Sequence, residues 1–150
     1  MISIRTMNLF DAKALQALMA TEKPDYLKYF TAFEEPDSLL HQFRTARNDR
    51  FFALLMDDCL SGFYCLRGLD QGYARASFGI YVASVFKGQG LAHAALQAAE
   101  QWCEQNGIPV LMLKVAAYNE RASRIYQSFG FEAVGYCSDT GQIIMEKGVN

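Results

Sequence analysis

The sequence predicts a mixed α/β (α+β) sheet fold, and three observations point to it. The first half carries short apolar segments separated by turn residues, the pattern of a β meander. The second half changes rhythm to strand–helix–strand–helix–strand, with glycines at the joints. The 150 residues, 51% hydrophobic and 20% charged, have the size and make-up of one globular domain spanning residues 1–150.

Taken in order, Ile2–Thr6 alternates as a short strand. Asp11 reads as the N-cap of a helix through Ala20, with Leu15, Leu18 and Met19 forming its apolar stripe. Pro24 closes that region, and Lys23–Glu35 reads as irregular and aromatic. A second helix is expected from Pro36-Asp37-Ser38 to about Arg47, burying Leu39, Leu40 and Phe43. Phe51–Met56 and Cys59–Arg67 flank Asp57-Asp58 as a hairpin, Gly68–Gly72 makes a second turn, and Tyr73–Val82 continues the meander. A helix over Leu91–Asn106 carries Leu91, Ala92, Ala95, Leu96, Ala99, Trp102 and Cys103 on its apolar face, and Gly107 is its stop signal. Val110–Ala116 reads as a buried strand and Glu120–Phe129 as a helix ending at Gly130. Phe131–Tyr136 and Gln142–Lys147 close the sheet.

Composition excludes several function classes. Fourteen basic and sixteen acidic residues leave a net charge of −2, whereas a nucleic-acid partner calls for a basic excess. No stretch approaches the ~20 apolar residues of a membrane span. The start, Met1-Ile-Ser-Ile-Arg5, lacks the form of a secretory signal, so a cytoplasmic protein is expected. Cys59, Cys65, Cys103 and Cys137 stand among apolar neighbours without a C-x-x-C pair, as small buried thiols do. No His, Cys and carboxylate cluster has metal-ligand spacing, and no metal is expected.

The chemistry concentrates in Lys87-Gly88-Gln89-Gly90-Leu91-Ala92, between a strand and an amphipathic helix. Two glycines let the backbone turn sharply, and the first helical turn adds unpaired N–H groups and the positive end of the dipole. Such a loop suits a phosphate or pyrophosphate; a plain glycine turn from strand to helix accounts for the same letters. A P-loop is excluded because Gly90 is followed by Leu91-Ala92. A dinucleotide fingerprint is excluded because His93 occupies its third glycine position.

From Ile80 to Phe131 the chain resembles the GNAT N-acetyltransferase superfamily. The family loop [QR]-x-x-G-x-[GA] is matched by Lys87-x-x-Gly90-x-Ala92 except at the lysine. The second signature is matched by Asn119-x-x-Ala122-x-x-x-Tyr126, followed by Gly130-Phe131. The resemblance implies a mostly antiparallel sheet of six or seven strands with about four helices, splayed where acetyl-CoA binds. It implies that the coenzyme pyrophosphate sits on the backbone amides of Gln89, Gly90, Leu91 and Ala92, with Lys87 and Gly88 also among the coenzyme-binding residues. The pantetheine arm would pair with the backbone of Ile80, Tyr81 and Val82, with Gly79 as a bulge that opens the edge. Asn119 would hydrogen-bond the pantetheine, Ala122 would lie beside it, and Tyr126 would stand next to the thioester sulfur as the catalytic acid. Tyr126 also suits the buried face of a short helix. A strand N–H near Val82 is the candidate oxyanion donor.

Three departures stand out. Lys87 lacks the planar fork of an arginine, Ser84 stands where many members have proline, and Ala74–Val82 carries no carboxylate to act as base. The resemblance implies a small-molecule amine acceptor and leaves a homodimer open. Asp25, Tyr26, Tyr29, Phe30, Phe33 and Glu34, with Arg67 and Asp70, are the acceptor-site candidates, although the aromatics also read as core caps. His41 and His93 fall on polar helix faces, with His41 a minor candidate for the base. A coenzyme-binding module without turnover, or a peptide N-terminal acetyltransferase, are the rival readings.

Overall fold

The computed structural model describes residues 1–30 and 38–149. Seven strands form one sheet in the order β1-β2-β3-β4-β5-β7-β6. They are β1 (Ile2–Thr6), β2 (Arg50–Met56), β3 (Cys59–Arg67), β4 (Arg75–Val82), β5 (Val110–Ala116), β6 (Glu132–Cys137) and β7 (Gln142–Gly148). The helices are α1 (Leu9–Ala20), α2 (Pro24–Leu27), α3 (Ser38–Thr45), α4 (Leu91–Gln105) and α5 (Glu120–Ser128).

Helix α1 starts earlier than expected. Asn8 is its N-cap and Asp11 the third helical residue: Asn8 Oδ1 accepts the Asp11 N–H at 2.8 Å, while Asp11 Oδ2 accepts the Asn8 N–H at 2.9 Å. This reciprocal capping box uses Asp11 from inside the helix, and Arg5 forks onto the same carboxylate. Lys23–Glu35 is not wholly irregular, because Pro24 supplies the first residue of α2. The expected Pro36-Asp37 helix start lies outside the described residues. Helix α3 ends at Thr45, before Arg47, because Asp70 draws off the next backbone donors. Its carboxylate accepts the N–H groups of Arg47 at 3.1 Å and Asp49 at 3.2 Å, and that of Asn48.

The β2–β3 hairpin turns through Asp57 (φ 49°) and Asp58 (φ 67°), both left-handed as a two-residue type I′ turn requires. Strand β4 begins at Arg75 rather than Tyr73, because the turn still holds Tyr73, whose N–H donates to the Gly68 carbonyl at 3.2 Å. Helix α4 buries Leu91 and Leu96, at about 1.5–3 kcal/mol each. It ends as expected at Gly107 (φ 70°), where the Ile108 N–H closes back on the Cys103 carbonyl.

Every neighbouring strand pair is antiparallel except β4–β5. That parallel pair is matched only at Arg75–Val110, Ala76–Leu111 and Ser77–Met112, after which the strands part. Strand β5 keeps its β7 partner to the end, so the sheet opens like a V. Gly79 is not a bulge: it pairs in register with Cys65, and the irregularities lie at Leu54/Leu55 and Ala133/Gly135. The V therefore comes from divergence of two intact strands.

One core lies under α4, with Leu54, Tyr64, Phe78, Leu91, Leu96, Leu113 and Phe131. The opposite face packs Leu15, Leu39, Phe51, Phe63 and Tyr81 beneath α1 and α3. Cys65 and Cys103 are buried as expected, whereas Cys59 is exposed and Cys137 half-buried; all four are free thiols. Among the described residues no helix is long and apolar enough to cross a membrane.

Candidate active site

The V opens into a cavity of about 610 Å³. One wall is the free edge of β4. The Ala83 N–H donates to the Ser61 carbonyl across the β3 side, and antiparallel alternation puts the Tyr81 and Gly79 backbone groups in the same phase. The N–H and C=O groups of Ile80 and Val82 therefore face the gap. The Val82 carbonyl is already engaged there, accepting the Tyr26 hydroxyl at 2.5 Å. Of the three residues expected to offer their backbone to a pantetheine arm, Ile80 and Val82 line the cavity. Tyr81 does not: its backbone faces β3 and its fully buried side chain lies in the opposite core.

At the floor, Lys87, Gly88, Gly90, Leu91 and Ala92 line the cavity, and Gln89 is exposed outside its lining. Gly90 is the N-cap of α4 in a left-handed conformation (φ 89°), and Gly88 is left-handed too (φ 75°). A side chain would be strained at either position. The Ala94 N–H makes the first helical bond, to the Gly90 carbonyl at 3.1 Å. The N–H groups of Leu91, Ala92 and His93 are thus left without helical acceptors, at the positive end of a 15-residue helix. Exposed Lys87 and Arg121 stand beside them. These donors fit an anionic group such as a pyrophosphate.

The other wall is the β5–α5 turn and α5. Asn119 caps α5, its Oδ1 accepting the Ala122 N–H at 3.3 Å, so that oxygen is committed to the helix. At the far end Gly130 (φ 97°) closes α5, and the Phe131 N–H returns to the Tyr126 carbonyl at 3.1 Å. The ring of buried Phe131 meets Tyr126 edge-on at 6.0 Å, the hydrophobic contact that accompanies such a closure. The letters Asn119, Tyr126, Gly130 and Phe131 thus define one short capped helix that aims Tyr126 into the gap. Tyr126 is half-buried, and burial pushes its phenol up to about 12.

Tyr26, Tyr29 and Phe30 close the mouth. The Tyr118 hydroxyl donates to the Lys28 carbonyl at 3.0 Å, its ring lies 5.9 Å from that of Tyr29, and the Lys28 ammonium sits 5.5 Å from both rings. This aromatic tie joins the segment after α2 to the β5–α5 wall. Asp25 is exposed and outside the lining, and Phe33 and Glu34 lie outside the described residues. Arg67 and Asp70 are not brought to the site. They line a separate cleft, where Asp70 caps backbone amides and Arg67 donates to Gln42 Oε1 at 2.9 Å. His41 is exposed on α3. His93 stands at the cavity rim against Phe129, 5.1 Å between ring centres. Among the described residues no group of three His, Cys, Asp or Glu could hold a metal ion.

Sequence reading missed Arg121, Tyr118 and Glu22. Arg121 did carry a signal, since a cation in the first turn of a helix opposes the dipole unless an anion is near. Glu22 carried none. Its carboxylate accepts the Tyr81 hydroxyl (2.7 Å), the Ser84 N–H (2.9 Å) and the Ser84 hydroxyl (2.7 Å). Burial and the Glu22 charge together push the Tyr26 phenol up to about 12.

Residues 15–131 match the model of the Acetyltransferase (GNAT) family. The chain belongs to the GNAT acetyltransferase family. A stretch of 55 residues is 44% identical to the uncharacterized N-acetyltransferase YdgE of Bacillus subtilis (strain 168), covering 37% of this chain and 34% of that protein. The match thus spans about a third of that relative's length. Two solved structures share the GNAT fold. Spermidine N-acetyltransferase from Vibrio cholerae, solved with CoA and spermine, superposes with a TM-score of 0.81 at 21% identity, over 99% of this chain and 95% of that one. PaiA N-acetyltransferase from Thermoplasma acidophilum, solved with coenzyme A, gives 0.77 at 19% identity, over 99% of both chains.

Proposed function

We propose that this GNAT member moves an acetyl group from acetyl-CoA to a primary amine of a small molecule, by direct attack in a ternary complex. The observation that carries this reading is the V between β4 and β5. An anion cradle lies at its floor, unpaired strand groups run along one edge, and a phenol is aimed across it from the other. The donor set fits the coenzyme. Gly88, Gly90, Leu91 and Ala92, with Lys87 and Arg121, suit its pyrophosphate, and the Ile80 and Val82 backbone suits its amide-bearing arm. Residues 1–150 act as one acetyltransferase domain on this reading, since a single sheet runs from β1 to β7.

The neutral amine attacks the thioester carbonyl carbon, a C–N bond forms, and the C–S bond breaks. An ammonium near pKa 10.4 must first lose its proton, and in this open cavity water accepts it. The Val82 N–H, directed into the gap, is positioned for the developing oxyanion. The thiolate then meets Tyr126. A thiol titrates near 8.5 and this phenol near 12, so Tyr126 keeps its proton at neutral pH and acts by donating a hydrogen bond to sulfur. The final S–H proton comes from solvent or from the spent ammonium.

The test is thiol release from acetyl-CoA across a panel of primary amines. Amine-dependent release is expected, and Gly90→Glu is expected to abolish coenzyme binding through left-handed strain and charge repulsion. Acetyl-CoA binding with no turnover on any amine would replace this reading by that of a coenzyme-binding module.

A further inference from the structure

We propose that Glu22 is a positioning residue for acetyl transfer, holding the end of β4 so that the Val82 N–H stays aimed at the thioester oxygen. The inference rests on the acetyl-CoA reading above. Glu22 lies just beyond α1, outside the cavity lining, on the sheet face that carries the Tyr81 side chain. It reaches both sides of Val82. One carboxylate oxygen takes the Tyr81 hydroxyl and the Ser84 N–H, and the other takes the Ser84 hydroxyl. Between them, the Val82 carbonyl is held by Tyr26. Four hydrogen bonds, three to Glu22 in the α1–α2 junction and one from Tyr26 in α2, therefore converge on Tyr81, Val82 and Ser84.

The pairing ladder shows why such a clamp is needed. Beyond Ser77, β4 has no register partner on its β5 side, and its β3 pairing ends at Gly62–Val82 with one further bond, from the Ala83 N–H to the Ser61 carbonyl. The residues beyond must still turn through a 3₁₀ segment, Ser84–Phe86, into the Lys87–Gly90 cradle. Ser84 is the first residue of that turn, and Ala83 before it is extended (φ −58°, ψ 141°). A proline at position 84 would suit both conformations and fix the turn covalently. Serine instead keeps an N–H, and Glu22 uses it. The clamp thus couples the strand end that faces the acyl group to the loop that faces the phosphates.

The chemistry of the clamp separates positioning from proton transfer. A glutamine at 22 can keep its carbonyl oxygen on the Tyr81 hydroxyl and Ser84 N–H while its amide donates to the Ser84 hydroxyl, so the geometry survives and the charge is lost. An alanine leaves the Ser84 N–H without an acceptor, and no rotation can satisfy it.

The experiment compares wild type, Glu22→Gln, Glu22→Ala and the double variant Glu22→Ala/Ser84→Pro. It measures kcat, the coenzyme KM, and the Val82 amide resonance in ¹⁵N-valine-labelled protein with acetyl-CoA and with CoA. Glu22→Ala is expected to lower kcat by roughly 10- to 100-fold, the scale of a misplaced group about 1 Å off, with coenzyme KM within about threefold. It should also lose the difference between the Val82 resonances with the two ligands. Glu22→Gln should stay within about threefold of wild type, as a clamp with its contacts intact requires. The double variant should recover part of the lost rate, since the proline ring re-fixes the turn. A Glu22→Gln loss as deep as that of Glu22→Ala would overturn positioning in favour of a role for the charge, and unchanged kcat and Val82 resonance in Glu22→Ala would overturn it outright. If wild type shows neither turnover nor a Val82 response to acetyl-CoA, the acetyl-transfer reading itself falls, and this proposal falls with it.

Discussion

Tyr126 shows how a residue's surroundings select among its chemical options. Its phenol, raised to about 12 by burial, remains neutral wherever the protein is folded and working. A raised folded pKa means the neutral form is favoured below that value and ionises only as pH climbs through it. The rate should therefore rise with pH as the acceptor amine loses its proton, with no falling limb from Tyr126 below about pH 11. Tyr126→Phe keeps the ring contact with Phe131 and removes only the hydroxyl. We expect kcat to fall by about 10²-fold or more, with coenzyme KM nearly unchanged; initial rates of thiol release measure both. An unchanged kcat would leave Tyr126 as packing alone. The placement of Tyr126 was legible through its neighbours, because Asn119, Gly130 and Phe131 are local in sequence and build one helix. Glu22 was not legible: its partners Tyr81 and Ser84 lie some sixty residues away, and no local pattern joins them.

The elements repeat that contrast. Val110–Ala116 and the two-residue hairpin turn follow from local patterning, and both form as expected. The end of α3 does not, because the carboxylate that stops it belongs to Asp70 on a distant turn. The start of α1 lies three residues earlier than expected for a different reason: Asp11 is a cap former too, and in the reciprocal box it answers the true N-cap, Asn8, from inside the helix. The β3–β4 contact holds a further constraint. A Cβ at Gly62 would stand 2.1 Å from the Tyr81 carbonyl oxygen and 3.0 Å from the Val82 Cα, both backbone atoms that can yield only by parting the strands. Gly62→Ala should therefore cost about 1–3 kcal/mol, lowering the melting temperature by roughly 2–4 °C per kcal/mol, and should weaken acetyl-CoA binding because the displaced strand is the one that lines the gap. Differential scanning calorimetry with and without ligand checks both; a wild-type melting curve would refute the close approach.

For the molecule as a whole, the sequence made the layered α/β sheet and the cradle readable because both rest on periodicity and glycine spacing. The V was expected only through resemblance, and its cause differs from the bulge anticipated at Gly79. Divergence of two strands is a property of their other partners: β3 holds β4 and β7 holds β5. A ligand that binds only the folded chain stabilises it by mass action, so acetyl-CoA at about 100 times its dissociation constant should add about 2.7 kcal/mol of stability, read as a rise in melting temperature. No rise at that saturation would mean the ligand does not bind the folded state. The three matched positions between β4 and β5 also have a mechanical meaning. They are the short spine of a two-leaved book, with β1–β4 as one leaf and β5–β7 as the other, bound from beneath by α4. Ladders stiffen each leaf along its length, whereas flexing about the spine strains only a few hydrogen bonds. That spine is the shortest ladder in the sheet, and whatever lies along both open margins serves as its splint.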